Sequence, residues 1–228
     1  MPKRLIINAD DFGSSENVNR RILGCHVKGA ISDISLLPCG DSFEHAVESA
    51  REIGLNRIGV HVALTGALKP ASPEDKIPTL MTGKKVFSKK YPLFLIRYFL
   101  GFIKKEEIYT ELKNQVLKVK EKGFTITHLD GHEHIHMVPG VLKSAIRVMK
   151  ELGVKNIRFP LERLAFVEKL KSPRLWLRNA MLSVMCAISR KTIESAGLKH
   201  ADNFIGHARA LRMSKNDLLN FIAHLKDG

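Results

Sequence analysis

The sequence predicts an α/β fold in which short strands alternate with helices around a parallel sheet, open or closed into a barrel. Three observations predict it. Apolar, strand-length runs alternate with longer amphipathic stretches. Gly54, Gly123 and Gly153 each stop a helix-like stretch just ahead of a strand-like one. Finally, the residues able to do chemistry fall at or just past the predicted strand ends, and the carboxyl edge of a parallel sheet is where sites assemble.

The elements follow in order. Lys3–Asn8 reads as a strand and Glu16–Lys28 as a helix. Ile31–Leu37 is the second strand, and Ser42–Ile53 is a helix stopped by Gly54. Arg57–Leu64 is the third strand. Glu106–Lys122 is a long charged helix stopped by Gly123, and the strand Phe124–Leu129 follows. Val141–Leu152 is a helix stopped by Gly153, and Val154–Phe159 is a further strand. A last helix is expected over Lys215–Leu225. Repeated β–α–β units with short links imply parallel pairing.

Three stretches break the rhythm. Lys69–Lys90 holds Pro70, Pro73, Pro78 and Gly83 among charges and reads as a long loop of the lid or binding kind. Tyr91–Ile103 is apolar and reads as a core helix packed on the sheet, with a lipid-facing flap as the alternative. Pro173–Arg190 mixes Arg174, Arg178 and Arg190 with apolar residues, an amphipathic basic helix suited to packing or to docking on an anionic surface or lipid-like ligand.

Composition narrows the class. With 228 residues and 44% hydrophobic content, the chain suits one large domain. No stretch reaches the ~18–20 apolar residues that span a bilayer, and Leu5-Ile6-Ile7 is too short for a signal-peptide core. Cys25, Cys39 and Cys186 form no C-x-x-C, so neither a disulfide framework nor a zinc ribbon is expected, and a cytoplasmic location is. The net charge of +14 favours anionic partners. Lysines and arginines are spread out and no nucleic-acid signature is present, so nucleic acid is not an expected partner.

The chemistry concentrates in three clusters. His128-Leu129-Asp130-Gly131-His132-Glu133-His134-Ile135-His136 holds four of the ten histidines. In an extended strand His128, Asp130, His132, His134 and His136 would share one face. Asp10-Asp11 ends an apolar strand, where adjacent carboxylates are costly unless a positive group holds them. His61 stands near the end of the third strand. One carboxylate and two imidazoles make a three-ligand site with open positions, the catalytic kind. The second carboxylate is then free to act as a general base on bound water.

These residues carry a resemblance. N-A-D-D-F-G (Asn8–Gly13), G-x-H-x-x-L-T (Gly59–Thr65) and H-x-D-G-H-x-H-x-H (His128–His136) occur in order, and the chain resembles the YdjC-like carbohydrate deacetylase family over nearly its whole length. The stretch from Pro173 to Asp202 looks most like the branch found with hopanoid biosynthesis. The resemblance implies a (β/α) barrel-like domain of the glycoside hydrolase/deacetylase type. It implies a single deacetylase-like domain over 1–228, with a loop and helix insertion at about 66–104 and a helical region at about 161–200. It also implies metal-dependent removal of an N-acetyl group from an amino sugar, oligosaccharide or glycolipid. Asp11, His61 and His132 match the family's metal ligands, and Asp10 matches its catalytic base. Asp130, His134 and His136 are then expected to touch substrate or to orient the ligands. One divalent ion, magnesium or zinc, is the expected cofactor. Gly131 replaces the family's more frequent serine. The family also has a C-terminal Glu-containing strand and an H-P-G-like segment whose histidine is its general acid; here they would begin near Lys226-Asp227-Gly228, so the barrel is expected to be incomplete at that end.

Two rival readings stay open. One is a metal-dependent hydrolase of another bond, such as a phosphoester, for which the basic charge is apt. The other is a catalytically impaired basic binding protein with the same fold. A homo-oligomer and a peripheral contact with an anionic membrane are further expectations.

Overall fold

The structure is a computed structural model that describes residues 4–83, 85–162, 173–207 and 214–223. Its elements are β1 (Asn8–Phe12), α1 (Glu16–Val27), β2 (Asp33–Leu36), α2 (Phe43–Glu52), β3 (Arg57–Val62), α3 (Tyr91–Phe99) and α4 (Lys105–Glu121). They continue with β4 (Thr125–Gly131), α5 (Pro139–Leu152), α6 (Pro173–Ser195) and α7 (Lys215–Ala223).

The strands form one parallel sheet in the order β1-β2-β3-β4. Each strand lies beside its successor in sequence. A doubly wound sheet reverses its order at a switch point, whereas a barrel winds steadily one way. The winding continues past β4. Leu129 bridges Ile157 and Asn156 bridges Lys199, both in parallel, so the sheet curves on in chain order. This is the barrel-like α/β architecture.

Local signals account for the helices. Ser15 caps α1, its hydroxyl accepting from the Val18 N–H at 3.3 Å. Pro139 opens α5, where a missing N–H costs nothing. Gly153 closes α5 in the left-handed region at φ 77°, and its N–H returns to the Met149 carbonyl. The α5 face of Val141, Leu142, Ala145, Val148 and Met149 is buried at helical spacing.

Several boundaries differ from the sequence reading. The first ladder pairing is Asn8 with Asp33, so β1 begins where the predicted Lys3–Asn8 strand was to end, and Ile6 is exposed. The apolar run thus leads into the sheet, and the acidic segment after it makes the ladder. Val154–Phe159 is held by single bridges on its two sides and is not a continuous strand. The histidine segment stays extended only to Gly131; His132–Met137 is a 3-10 turn, with Glu133 and His134 at φ 53° and 55°. Tyr91–Ile103 is helical to Phe99, but only Phe94 and Leu95 of that helix are buried, so it is an edge-packed helix rather than a core one. Residues 163–172 of the expected helical region, and Leu225 at the end of the last predicted helix, lie outside the described residues.

The 66–90 loop is moored by two carboxyl groups of α4. Glu111 accepts from the Ala71 and Ser72 N–H groups at 2.9 Å each and from the Gln115 side-chain amide at 2.7 Å. Glu107 accepts from the Thr79 N–H at 2.6 Å and from its hydroxyl at 2.8 Å. Both acids are buried. Burial of such groups is tolerable only because donors meet them. Glu111→Ala strands two backbone N–H groups and is expected to cost about 2–4 kcal/mol of unfolding free energy. Urea denaturation checks the stability. Limited proteolysis should show earlier cleavage between residues 66 and 90, and unchanged cleavage there would contradict the mooring.

Candidate metal centre

The carboxyl ends of β1, β3 and β4 place the chemistry. Adjacent residues of a regular strand face opposite sides. The ladder between β1 and β2 slips between Ala9 and Phe12, and Asp11 has φ 60°, in the left-handed region. Such an irregularity re-aims side chains. Here it lets two consecutive aspartates serve one pocket.

Asp11 Oδ1 lies 3.0 Å from His132 Nδ1 and 3.5 Å from His61 Nε2. One donor atom from each of Asp11, His61 and His132 lies within 4.8 Å of the others. Bonds of about 2.0–2.3 Å put the ligands of one ion within roughly 4.5 Å of each other, so the donor set suits a divalent cation. A second group of three joins Asp10 and Asp130 to the same His61 within the same spread.

His61 is buried and registers opposite Asp130 across the β3–β4 ladder. Its Nδ1 donates to Asp130 Oδ1 at 2.7 Å. That bond fixes the tautomer and leaves the Nε2 lone pair toward Asp11, as in a carboxylate–histidine–metal arrangement. Burial alone would lower the His61 pKa, but Asp130, with Asp10 and Asp11, raises it above the ordinary value. Burial would raise the Asp11 pKa, and His132 and His61 lower it on balance.

Asp130 is the hub. It is fully buried and meets Arg158 at 2.6 Å, Ser35 Oγ at 2.9 Å and His128 Nε2 at 3.6 Å besides His61. Burial pushes its carboxyl up; the Arg158 guanidinium and His61 overcome this and hold it well below the usual carboxylate range. Burial lowers His128, but hydrogen bonds to Asp130 and Asp33 raise it to about 9, so it is cationic at neutral pH. The His128 ring occupies the space that a Cβ on Gly59 would need.

Asp10 is not free, as the sequence had suggested. Arg158 donates to both its oxygens at 2.7 Å each, and the Asn8 side-chain amide adds a bond at 2.7 Å. His136 is buried, and its Nε2 donates to the Arg158 carbonyl at 3.0 Å. His136 therefore steadies the arginine that grips Asp10 and Asp130. His134 leaves the cluster: its ring lies 4.9 Å from that of His207 and 5.7 Å from that of Phe204. Burial, then Arg178, brings His207 down to about 4, so it is neutral at pH 7.

Sequence reasoning missed Arg158, Ser35 and the role of His128. Arg158 carried one weak signal, a cation set between the apolar Ile157 and Phe159 near the end of a strand-like run. Ser35 follows Asp33 at period two on β2, a weaker signal that both face the site.

A profile of the family described as YdjC-like protein matches residues 4–228. A carbohydrate deacetylase of Danio rerio is 32% identical over 232 aligned residues, 99% of this chain and 72% of the relative. One from Thermoanaerobacter pseudethanolicus is 27% identical, covering 99% of this chain and 78% of the relative. One from Brevibacillus brevis is 32% identical over 157 residues, which spans only 59% of that relative's length. A crystal structure from Enterococcus faecalis V583, of a protein named for cellobiose-phosphate cleavage, superposes with a TM-score of 0.74. It covers 99% of this chain and 76% of its own, at 23% identity, and so shares the fold.

A proton and a bound cation would compete for His61 Nε2. Because the His61 pKa is raised, the proton wins up to a higher pH than at an ordinary histidine. Affinity for zinc or magnesium is therefore expected to fall about tenfold per pH unit below that raised value. Calorimetric titration across pH 5–9 checks it, and Asp11→Asn should weaken binding at every pH by at least about tenfold. Affinity independent of pH in this range would contradict the arrangement.

Proposed function

The chain belongs to the YdjC-like protein family, and from that premise we propose that it is a metal-dependent hydrolase removing an N-acetyl group from an amino sugar, oligosaccharide or glycolipid. The observation that carries this reading is the convergence of Asp11, His61 and His132 with Asp10 and Asp130 around the same imidazole. The carbohydrate deacetylase names of its relatives supply the substrate class.

Asp11, His61 and His132 would hold the ion. When bound, a divalent ion supplies Lewis acidity and lowers the pKa of a water at the site. The chain's own groups do the rest. Asp130 keeps the His61 tautomer fixed. Arg158 fixes the plane of the Asp10 carboxylate through its paired hydrogen bonds. Asp10 takes a proton from the attacking water as general base. Water oxygen bonds to the acetyl carbon, the C–N bond breaks, and acetate leaves. The proton held by Asp10 is the one that the departing amine requires, so one carboxyl group carries it from water to nitrogen.

Asp10→Asn keeps the shape and removes the base. It is expected to lower kcat by at least about a hundredfold while metal affinity stays within about threefold. Acetate release from a panel of N-acetylated sugars and glycolipids, with zinc and with magnesium, is the assay. Release of phosphate from phosphoesters, with no acetate from any sugar, would replace this reading with that of a phosphoester hydrolase.

A further inference from the structure

Two helices leave large apolar side chains in water. On α3 and the turn after it, Leu93, Ile96, Phe99, Leu100 and Phe102 are exposed, Phe99 by 69% and Phe102 by 63%. On α6, Leu177, Met181, Val184 and Ile188 are exposed at steps of four, three and four, with Trp176 beside them at 59%. The opposite face of α6, with Asn179, Leu182, Cys186, Ser189 and Ile193, is buried. These are contiguous strips rather than scattered residues, and such strips mark interaction surfaces.

Both helices lie next to the segment that runs from His132 into the start of α5. The Tyr98 hydroxyl lies against Gly140 at the start of α5, in the space that a Cβ on Gly140 would need. Helix α6 packs on the 3-10 turn at 132–137 and on α5. Its Arg178 donates to the His207 carbonyl at 3.0 Å, and the His207 ring lies against His134.

Charge selects the occupant. No acidic residue occurs from Lys89 to Lys105, and Lys89, Lys90, Lys104 and Lys105 are exposed. None occurs from Pro173 to Ile193, and Arg178 and Lys191 are exposed there. The whole chain carries +14. A second copy would bring like charges together across the interface, which opposes pairing. An anionic lipid surface is complementary in both respects: acyl chains take the apolar side chains and headgroups take the lysines. Among the described residues no helix is long and apolar enough to cross a membrane.

We propose that the face formed by α3, the turn at 99–105 and the outer side of α6 docks on an anionic lipid bilayer. Docking sets the apolar side chains about 5–10 Å into the boundary between headgroups and acyl chains. It stands apart from the deacetylase reading, because vesicle binding is measured without turnover.

Trp176 is the single tryptophan, so it reports on the patch directly. The full chain is mixed with vesicles of phosphatidylcholine alone and of phosphatidylcholine with phosphatidylglycerol, then sedimented while tryptophan emission is recorded. The expected result is a blue shift, with partitioning at least about tenfold stronger on the anionic vesicles and lost at about 1 M salt. Phe99→Glu with Phe102→Glu, and separately Leu177→Glu with Ile188→Glu, should each lower partitioning at least about tenfold. Lys89→Gln, Lys90→Gln and Lys105→Gln should each lower it about fivefold. All these side chains are exposed, and unchanged far-UV circular dichroism and Tm verify folding. Absence of binding, equal binding to both vesicle types, or unaltered binding by the folded glutamate variants would overturn the proposal. So would a doubling of sedimenting mass without lipid that buries Trp176, which would give the surface to a second copy.

Discussion

One buried carboxylate sets the terms for the site. Asp130 has no access to water, and an ionised carboxylate in that position is costly unless donors surround it. Its partners come from β2, β3, β4 and the 154–159 segment: Ser35, His61, His128 and Arg158. Each is needed to offset the same charge, so the strand ends that supply them are tied into one alignment. Removing one partner of such a buried ionic group commonly costs about 3–5 kcal/mol. The orientation of the His61 ring is thus fixed from its Nδ1 side, away from Asp11.

The rest of the centre leans on this hub. Arg158 spans Asp130 and Asp10, so the hub also orients the proposed base. Asp11 is reached through backbone strain: a non-glycine residue at φ 60° costs on the order of 1–3 kcal/mol. Glu133 and His134 add two more such residues directly after His132. The Glu133 side chain accepts from the Thr65 hydroxyl at 2.8 Å, which holds the turn in place. Strain is therefore gathered at both Asp11 and the turn after His132, at the edge of the sheet.

Much of this could be read from the residues in order. Strand and helix alternation was legible because glycine stops and apolar periodicity are local signals. The grouping of Asp11, His61 and His132 was legible because they sit within short motifs near strand ends. The course of the histidine segment was not. Alternation assumes an unbroken strand, and only the left-handed backbone at Glu133 and His134 parts His134 and His136 from His132. Nor was the engagement of Asp10 legible, because Arg158 lies 148 positions away and no local pattern joins them. Similarly, the apolar run Tyr91–Ile103 has a core-like composition, and only its edge packing shows most of its bulky side chains facing water.

The mooring of the 66–90 loop has a further consequence. Glu107 and Glu111 hold the loop mainly by its main chain, through the N–H groups of Ala71, Ser72 and Thr79. A grip on amide groups is itself indifferent to side-chain identity, apart from proline, although Ser72 is also held through its buried hydroxyl, which accepts from the Asn114 amide at 2.9 Å. The root of this loop, Gly66, passes beside the His132 ring. The loop is thus a segment whose outward residues can be rewritten one at a time while its path past His132 stays the same. Variation in what the site accepts has a natural place to accumulate there, insulated from the strained and charge-balanced sheet edge beneath it.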